Sequence, residues 1–139
     1  MNTRKTRENS VDVQAALQKI GSLIAGILPP GWKKVVYGFF LTGGERTTHQ
    51  QIWAVLGGDD DYTNLMQSYW DDDDFLDTME ALSEACDAFQ KLCADACDPW
   101  SEMSLSLFPD GRFTVDFDYD EIRDFSSHFV MEWQSRFLD

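Results

Sequence analysis

Asp116 and Asp118 are the side chains in this chain with the best claim to chemistry. They alternate along Val115-Asp116-Phe117-Asp118-Tyr119, so in an extended strand both carboxylates stand on one face, ~7 Å apart. Two carboxyl groups at that separation suit acid and base work on a glycosidic bond. Nothing else assembles around them. The chain has no serine nucleophile motif, no histidine near a cysteine and no glycine-rich phosphate cradle completed by lysine. The pair reads first as an acidic surface, no catalytic residue is assigned, and an enzyme is not expected.

Three other clusters have plainer explanations. Cys86, Cys93 and Cys97 continue the spacing Phe75, Met79, Leu82, Cys86, Phe89, Cys93, Ala96, one apolar stripe along a helix of about 25 residues. They read as buried, reduced thiols, since His49 and His128 are remote in sequence and no fourth ligand completes a zinc site. No metal and no cofactor is expected. Asp71 to Asp74 lack the glycine and terminal glutamate of a calcium loop. Their position suits capping of a helix start, where carboxylates meet free N–H groups and the positive end of the dipole. Gly57-Gly58 precede Asp59, Asp60 and Asp61, which would repel a phosphate. That segment reads as a flexible acidic loop whose aromatic residues, Tyr62, Tyr69 and Trp70, exceed the needs of a linker.

The elements that position these groups are legible from periodicity. Val11, Leu17, Ile20, Leu23, Ile24, Ile27 and Leu28 line a first helix, which Pro29-Pro30-Gly31 terminates. Trp32 to Leu41 and His49 to Leu56 read as strands turned by Thr42-Gly43-Gly44-Glu45-Arg46. After the long helix, Met103, Leu105 and Leu107 alternate with Ser104 and Ser106, and Phe113, Val115, Phe117 and Tyr119 alternate with Thr114, Asp116, Asp118 and Asp120. Pro109-Asp110-Gly111 makes the turn between these two strands. One face of the hairpin is expected to be core and the other acidic and wet. Ile122, Phe125, Phe129, Val130, Trp133 and Phe137 trace a closing helix. The resulting α+β order is αββαββα, an antiparallel four-stranded sheet with helices mainly on one face. Residues 11–139 read as one domain behind a polar leader, residues 1–10, expected to be disordered.

Charge is distributed unevenly. The formal net charge is −14, yet residues 1–46 hold seven basic against three acidic side chains, whereas the remaining 93 hold four basic against 22 acidic. An acidic field of that kind repels nucleic acid and accelerates encounter with a cationic partner. The plainer reading is solubility. Asp77, Glu80, Glu84, Asp87 and Asp95 extend the acidity along the long helix, with Lys91 the lone base among them. Apolar runs such as Val35 to Leu41 fall far short of the ~20 residues that a membrane span needs. No signal-type segment follows the charged leader, so no membrane association and a cytoplasmic location are expected.

Pro99-Trp100, the Ser-Leu-Ser-Leu strand, Asp110-Gly111-Arg112-Phe113 and Val115-Asp116-Phe117-Asp118-Tyr119 resemble the C-terminal hairpin of the YezG-like immunity proteins. The order of elements is similar from about Val11 onward, although Thr42 to Asp74 carries no family motif. The resemblance implies an antitoxin that binds and neutralises a cognate secreted toxin, often a nuclease. The expected partner is a basic toxin domain. Candidate toxin-binding residues are Asp59, Asp60, Asp61, Tyr62, Tyr69, Trp70, Asp71, Asp116, Asp118 and Asp120. An acidic adaptor or nucleic-acid mimic that binds a basic host protein is the alternative, and a small acid/base enzyme using Asp116 and Asp118 is the third class. If charge steers association, the on-rate for a basic partner falls several-fold between about 0.05 and 0.5 M salt, as the Debye length shrinks from ~14 to ~4 Å. A stopped-flow series with a salt-independent on-rate would remove steering from the account.

Overall fold

The computed structural model describes residues 11–43 and 47–138. The leader and the middle of the first hairpin turn, Gly44 to Arg46, lie outside the described residues. The backbone groups into two compact units, 11–28 with 71–100, and 29–70 with 101–138. No helix among the described residues is long and apolar enough to cross a membrane.

In the first unit, helix α1 (Val11–Gly26) buries Val13, Leu17, Ile20 and Ile24, a spacing of four, three and four that keeps one stripe inward. Val13 takes the first core position expected of Val11, whose side chain is 82% exposed. The long helix (Asp73–Asp95) packs against α1 and buries Phe75, Met79, Leu82, Cys86, Phe89, Gln90 and Cys93. Asp72 caps it, its side chain accepting from Phe75 N at 3.1 Å, with Asp73 and Asp74 in the first turn. The helix-capping reading of the aspartate run is thus realised at Asp72. Past the last turn, Trp100 is buried with its ring 5.8 Å from that of Phe89, and its carbonyl accepts from Gln90 Nε2 at 3.0 Å.

The cysteine stripe breaks at its end. Cys86 and Cys93 are buried, but Cys97 is exposed. The helix stops at Asp95, and Cys97 sits at φ 64° with its N–H bonded to Ala94 O while Asp98 N bonds to Cys93 O. This 5→2 and 6→1 pair is a Schellman cap, whose left-handed position favours glycine.

The second unit is a five-stranded antiparallel sheet, not the four strands expected from the sequence. Its strands are β1 (Lys34–Thr42), β2 (Thr47–Val55), β3 (Tyr62–Asn64), β4 (Glu102–Leu107) and β5 (Phe113–Asp118), in the order β3-β2-β1-β4-β5. The unforeseen strand is β3, which pairs Trp53 with Asn64 and Val55 with Tyr62. Asn64 then caps a one-turn helix α2 (Leu65–Ser68) by accepting from Met66 N and Gln67 N. With the long helix as α3 and the closing helix as α4 (Ser127–Phe137), the described residues form four helices in the order αβββααββα.

Strand β1 lies in the middle and is buried on both faces from Val35 to Phe40, which explains its uninterrupted apolar run. Helix α4 packs on the face that carries Val36, Gly38 and Phe40. A Cβ on Gly38 would stand 2.6 Å from the Phe40 ring and 2.8 Å from Trp133 Cζ2. The buried Trp133 indole also meets Phe40 edge-on at 5.6 Å, and its Nε1 donates to Ser104 Oγ at 2.9 Å. Ser104 and Glu102, both buried, belong to the hairpin face expected to be wet. That expectation is overturned: α4 covers this end of the face because Gly38 and Ser104 leave room for the indole and supply its acceptor. The core face is also less closed than expected at and just after β5, where Phe113 is 38% exposed and Tyr119 37% exposed. The closing helix begins later than the apolar spacing suggests. Ile122 instead bridges Thr42, and Ser126 caps the helix by accepting from Phe129 N at 3.1 Å.

Glu102 is the carboxylate that this packing encloses. Ser104 Oγ donates to its Oε2 at 3.4 Å, and Arg136 Nη2 on α4 lies 3.3 Å from its Oε1. Burial raises its pKa, and Arg136 opposes the shift without cancelling it. The folded state therefore holds the proton more tightly than the unfolded chain does. This group supports folding fully below its ordinary pKa of 4.5 and loses that contribution as pH rises through the raised value. Subtracting the stability of Glu102→Gln from that of wild type, by urea unfolding at stepped pH, should give a difference that declines from about pH 4.5 upward; a flat difference refutes it. In the first unit, Cys97→Gly should stabilise by about 1 kcal/mol by relieving the left-handed backbone. Cys86→Ala and Cys93→Ala should each cost about 1 to 3 kcal/mol. Thermal unfolding that ranks Cys97→Gly with the two core variants would refute the cap assignment.

Candidate functional site

The candidate residues fall into separate groups rather than one site. Asp59, Asp60 and Asp61 are all exposed in the connection from β2 to β3. Gly58, at φ 86°, turns the chain there, Asp59 N bonds to Leu56 O at 3.1 Å, and Lys33 Nζ donates to the Asp59 carbonyl at 2.9 Å. The segment is thus tied to Lys33, just before β1, and leads into a strand, which gives the acidic run a fixed exit. Tyr62, the first residue of that strand, packs against the Val36, Phe40, Ile122 and Trp133 cluster, and Lys34 Nζ lies 5.8 Å from its ring centroid. Tyr62 therefore belongs largely to the core edge. Tyr69 is half-buried, with its N–H bonded to Leu65 O. Trp70 is different, for its indole is 70% exposed, and Met66 one turn earlier is 40% exposed. Asp71 is exposed and belongs to the other compact unit.

Asp116, Asp118 and Asp120 stand at the opposite edge of the sheet, on and just after β5. Four strand spacings of ~4.8 Å separate the two edges, about 19 Å. Asp116 is exposed. Asp118 is half-buried, its Oδ1 accepting from Asp120 N at 2.9 Å and its Oδ2 lying 4.0 Å from Arg136 Nη1. Ser101 Oγ donates to the carbonyls of Asp118 and Asp120, at 3.1 and 2.6 Å. The strand end is thereby rigid, and Asp118 already shares a cation. At the hairpin tip, the Arg112 N–H and then its guanidinium hold the Asp110 carboxyl below the usual range.

Glu102, whose pKa burial raises, is enclosed beneath α4. Among the described residues no group of three or more His, Cys, Asp or Glu side chains is placed to hold a metal ion. His49 stacks on Phe125 at 4.2 Å and contacts Thr42 Oγ1 at 3.1 Å, and burial lowers its pKa. It is a packing residue. Sequence reasoning missed Glu102 and Arg136, although alternation from Ser104 placed Glu102 on the same face. The place of β5 at the edge of the described sheet was also missed, since strand order is not written in any single segment.

The acids of α3 form an exposed face of their own. Asp77, Glu80, Glu84 and Asp95 are exposed, and Asp87 pairs with Lys91 at 3.1 Å.

No curated protein matches the chain. A family model described as immunity protein YezG-like matches residues 13–134, a span that takes in both compact units from α1 to α4. With nearly its whole length matched, the chain belongs to the YezG-like immunity protein family.

Proposed function

We infer that the protein is an immunity protein that binds a cognate secreted toxin and holds it inactive in a stoichiometric complex. Family membership supports the class. The observation that carries the partner chemistry is the acidic excess after residue 46, 22 acidic against four basic side chains, with exposed carboxylates at Asp59 to Asp61, Asp116 and Asp120. Nuclease clefts are cationic because they neutralise phosphates. A basic, nuclease-like toxin domain is therefore the partner proposed, its active or substrate-binding face occluded by this surface in the cytoplasm. The action is occlusion, not catalysis. The same field repels nucleic acid, so the acids compete for the toxin's cations rather than for its substrate.

Charge alone does not make such a complex tight, since exposed ion pairs contribute ~0 to 1 kcal/mol each. Affinity needs anchors, and Trp70 is the aromatic side chain with the most exposed surface to lose on docking. Trp70→Ala should leave the on-rate unchanged and raise the off-rate by about tenfold or more. Asp116→Asn with Asp118→Asn should weaken protection, with Asp116 responsible for the larger share because Asp118 already faces Arg136. The assay is survival of cells expressing the cognate toxin domain, with circular dichroism as the folding control. Full protection by both sets of variants would place docking elsewhere, on the acidic face of α3 or on α4. No protection even by wild type, together with capture of a basic host protein, would instead favour the acidic adaptor.

A further inference from the structure

Strand β5 closes the sheet on one side, and no described strand pairs with its outer side. The two edges differ. β3 has three residues, too short to template a partner, whereas β5 has six. After β5 the chain turns inward: the Asp120 carbonyl accepts from Ser101 Oγ, and Ile122 bridges Thr42 of β1. The outer side of β5 is therefore not covered by the segment that follows it.

Side chains on this edge alternate in chemistry. On one face Thr114 and Asp116 are exposed and Asp118 half-buried; on the other Phe113 is exposed and Val115 half-buried. A sheet edge with these properties receives a strand by main-chain hydrogen bonds, and the side chains at alternate positions select its sequence. The selection is set by charge. A second copy of this edge would place aspartate near aspartate, which is unfavourable across strands, while a basic side chain at the same place is favourable. Edge charges of this kind oppose self-pairing and leave a complementary strand admissible.

We propose that β5 is a receptor edge for an extended segment of the toxin domain in which basic and apolar residues alternate, joining the sheet as a further strand. The inference rests on the immunity reading for the identity of its partner. The basic positions face Asp116 and Asp118, and the apolar positions cover Phe113 and Val115.

The probe is a blocked six-residue peptide of alternating lysine and valine, added to the full chain, with a glutamate and valine peptide as control. Amide hydrogen exchange across residues 113–118 should slow by about fivefold or more at saturating lysine peptide and stay unchanged with the control. Asp116→Lys, an exposed position with little bearing on folding, should weaken the lysine peptide by about fivefold and admit the control. Unchanged exchange at 113–118 overturns the proposal, and if the protein still protects toxin-expressing cells, the immunity reading stands without it. Slowed exchange in a protein that fails to protect toxin-expressing cells removes the toxin as occupant of the edge and overturns the proposal. Exchange that slows with protein concentration alone assigns the edge to a second copy and overturns the proposal.

Discussion

Trp133 lies over Gly38 with no space for even a methyl group between strand and indole, since a Cβ at residue 38 would fall under 3 Å from both Trp133 and Phe40. The seat has three requirements: a residue without a side chain in the most buried strand, an acceptor for the indole N–H at Ser104, and rings at Phe40, Phe129 and Phe125 around it. Overpacking at such a site costs ~1 to 3 kcal/mol. Once α4 is seated, Arg136 is carried to within 3.3 Å of Glu102 and 4.0 Å of Asp118. One packing contact thus decides which acids of the hairpin are structural and which remain outside. Glu102 is enclosed, Asp118 is shared, and Asp116 is left to solvent.

This sorting separates two uses of negative charge that composition merges. A buried carboxylate needs a partner, because its desolvation is costly, and Glu102 has Arg136 and Ser104. Exposed carboxylates need none and act together as a field. A field accelerates encounter and rejects wrong partners, but it adds little to the lifetime of a complex. The lifetime must come from desolvated contacts, and the exposed candidates for these are Trp70 and the outer side of β5.

Much of the fold was legible because its signals are local. Pro109-Asp110-Gly111 made the last hairpin plain, and the Phe75 to Cys93 spacing made the long helix plain. The misses share a cause: the deciding partner lies far off in sequence. Tyr62 to Asn64 is too short to show a period, and it becomes a strand only because β2 offers Trp53 to Val55. Ser104 and Glu102 look like solvent-facing residues until Trp133, 29 positions beyond Ser104, is laid on them. Cys97 fits the apolar spacing, but the helix has already turned into its cap without the glycine that usually announces one. The candidate site was legible as chemistry and not as geometry. Acidic and aromatic residues were found, whereas their division between opposite edges follows from a strand order that no segment states.

The division bears on specificity. A uniformly acidic protein would attract any cationic surface, nucleic-acid-binding host proteins included, so charge by itself is a poor discriminator. What discriminates is charge held at fixed spacing beside groups that must be matched. The hydrogen bonds from Ser101 and the Asp118 to Asp120 turn fix the end of β5, so the Asp116 carboxylate is displayed on a strand that loses little freedom on docking. At the other edge, Lys33 holds the Asp59 carbonyl and Tyr62 is packed into the core, leaving Asp60 and Asp61 exposed on an anchored turn. A partner with diffuse positive charge meets the field and gains nothing further from either edge. On the proposed receptor edge, one whose cations and apolar groups repeat at strand spacing would gain backbone hydrogen bonds as well, a difference of the kind that separates one basic protein from another.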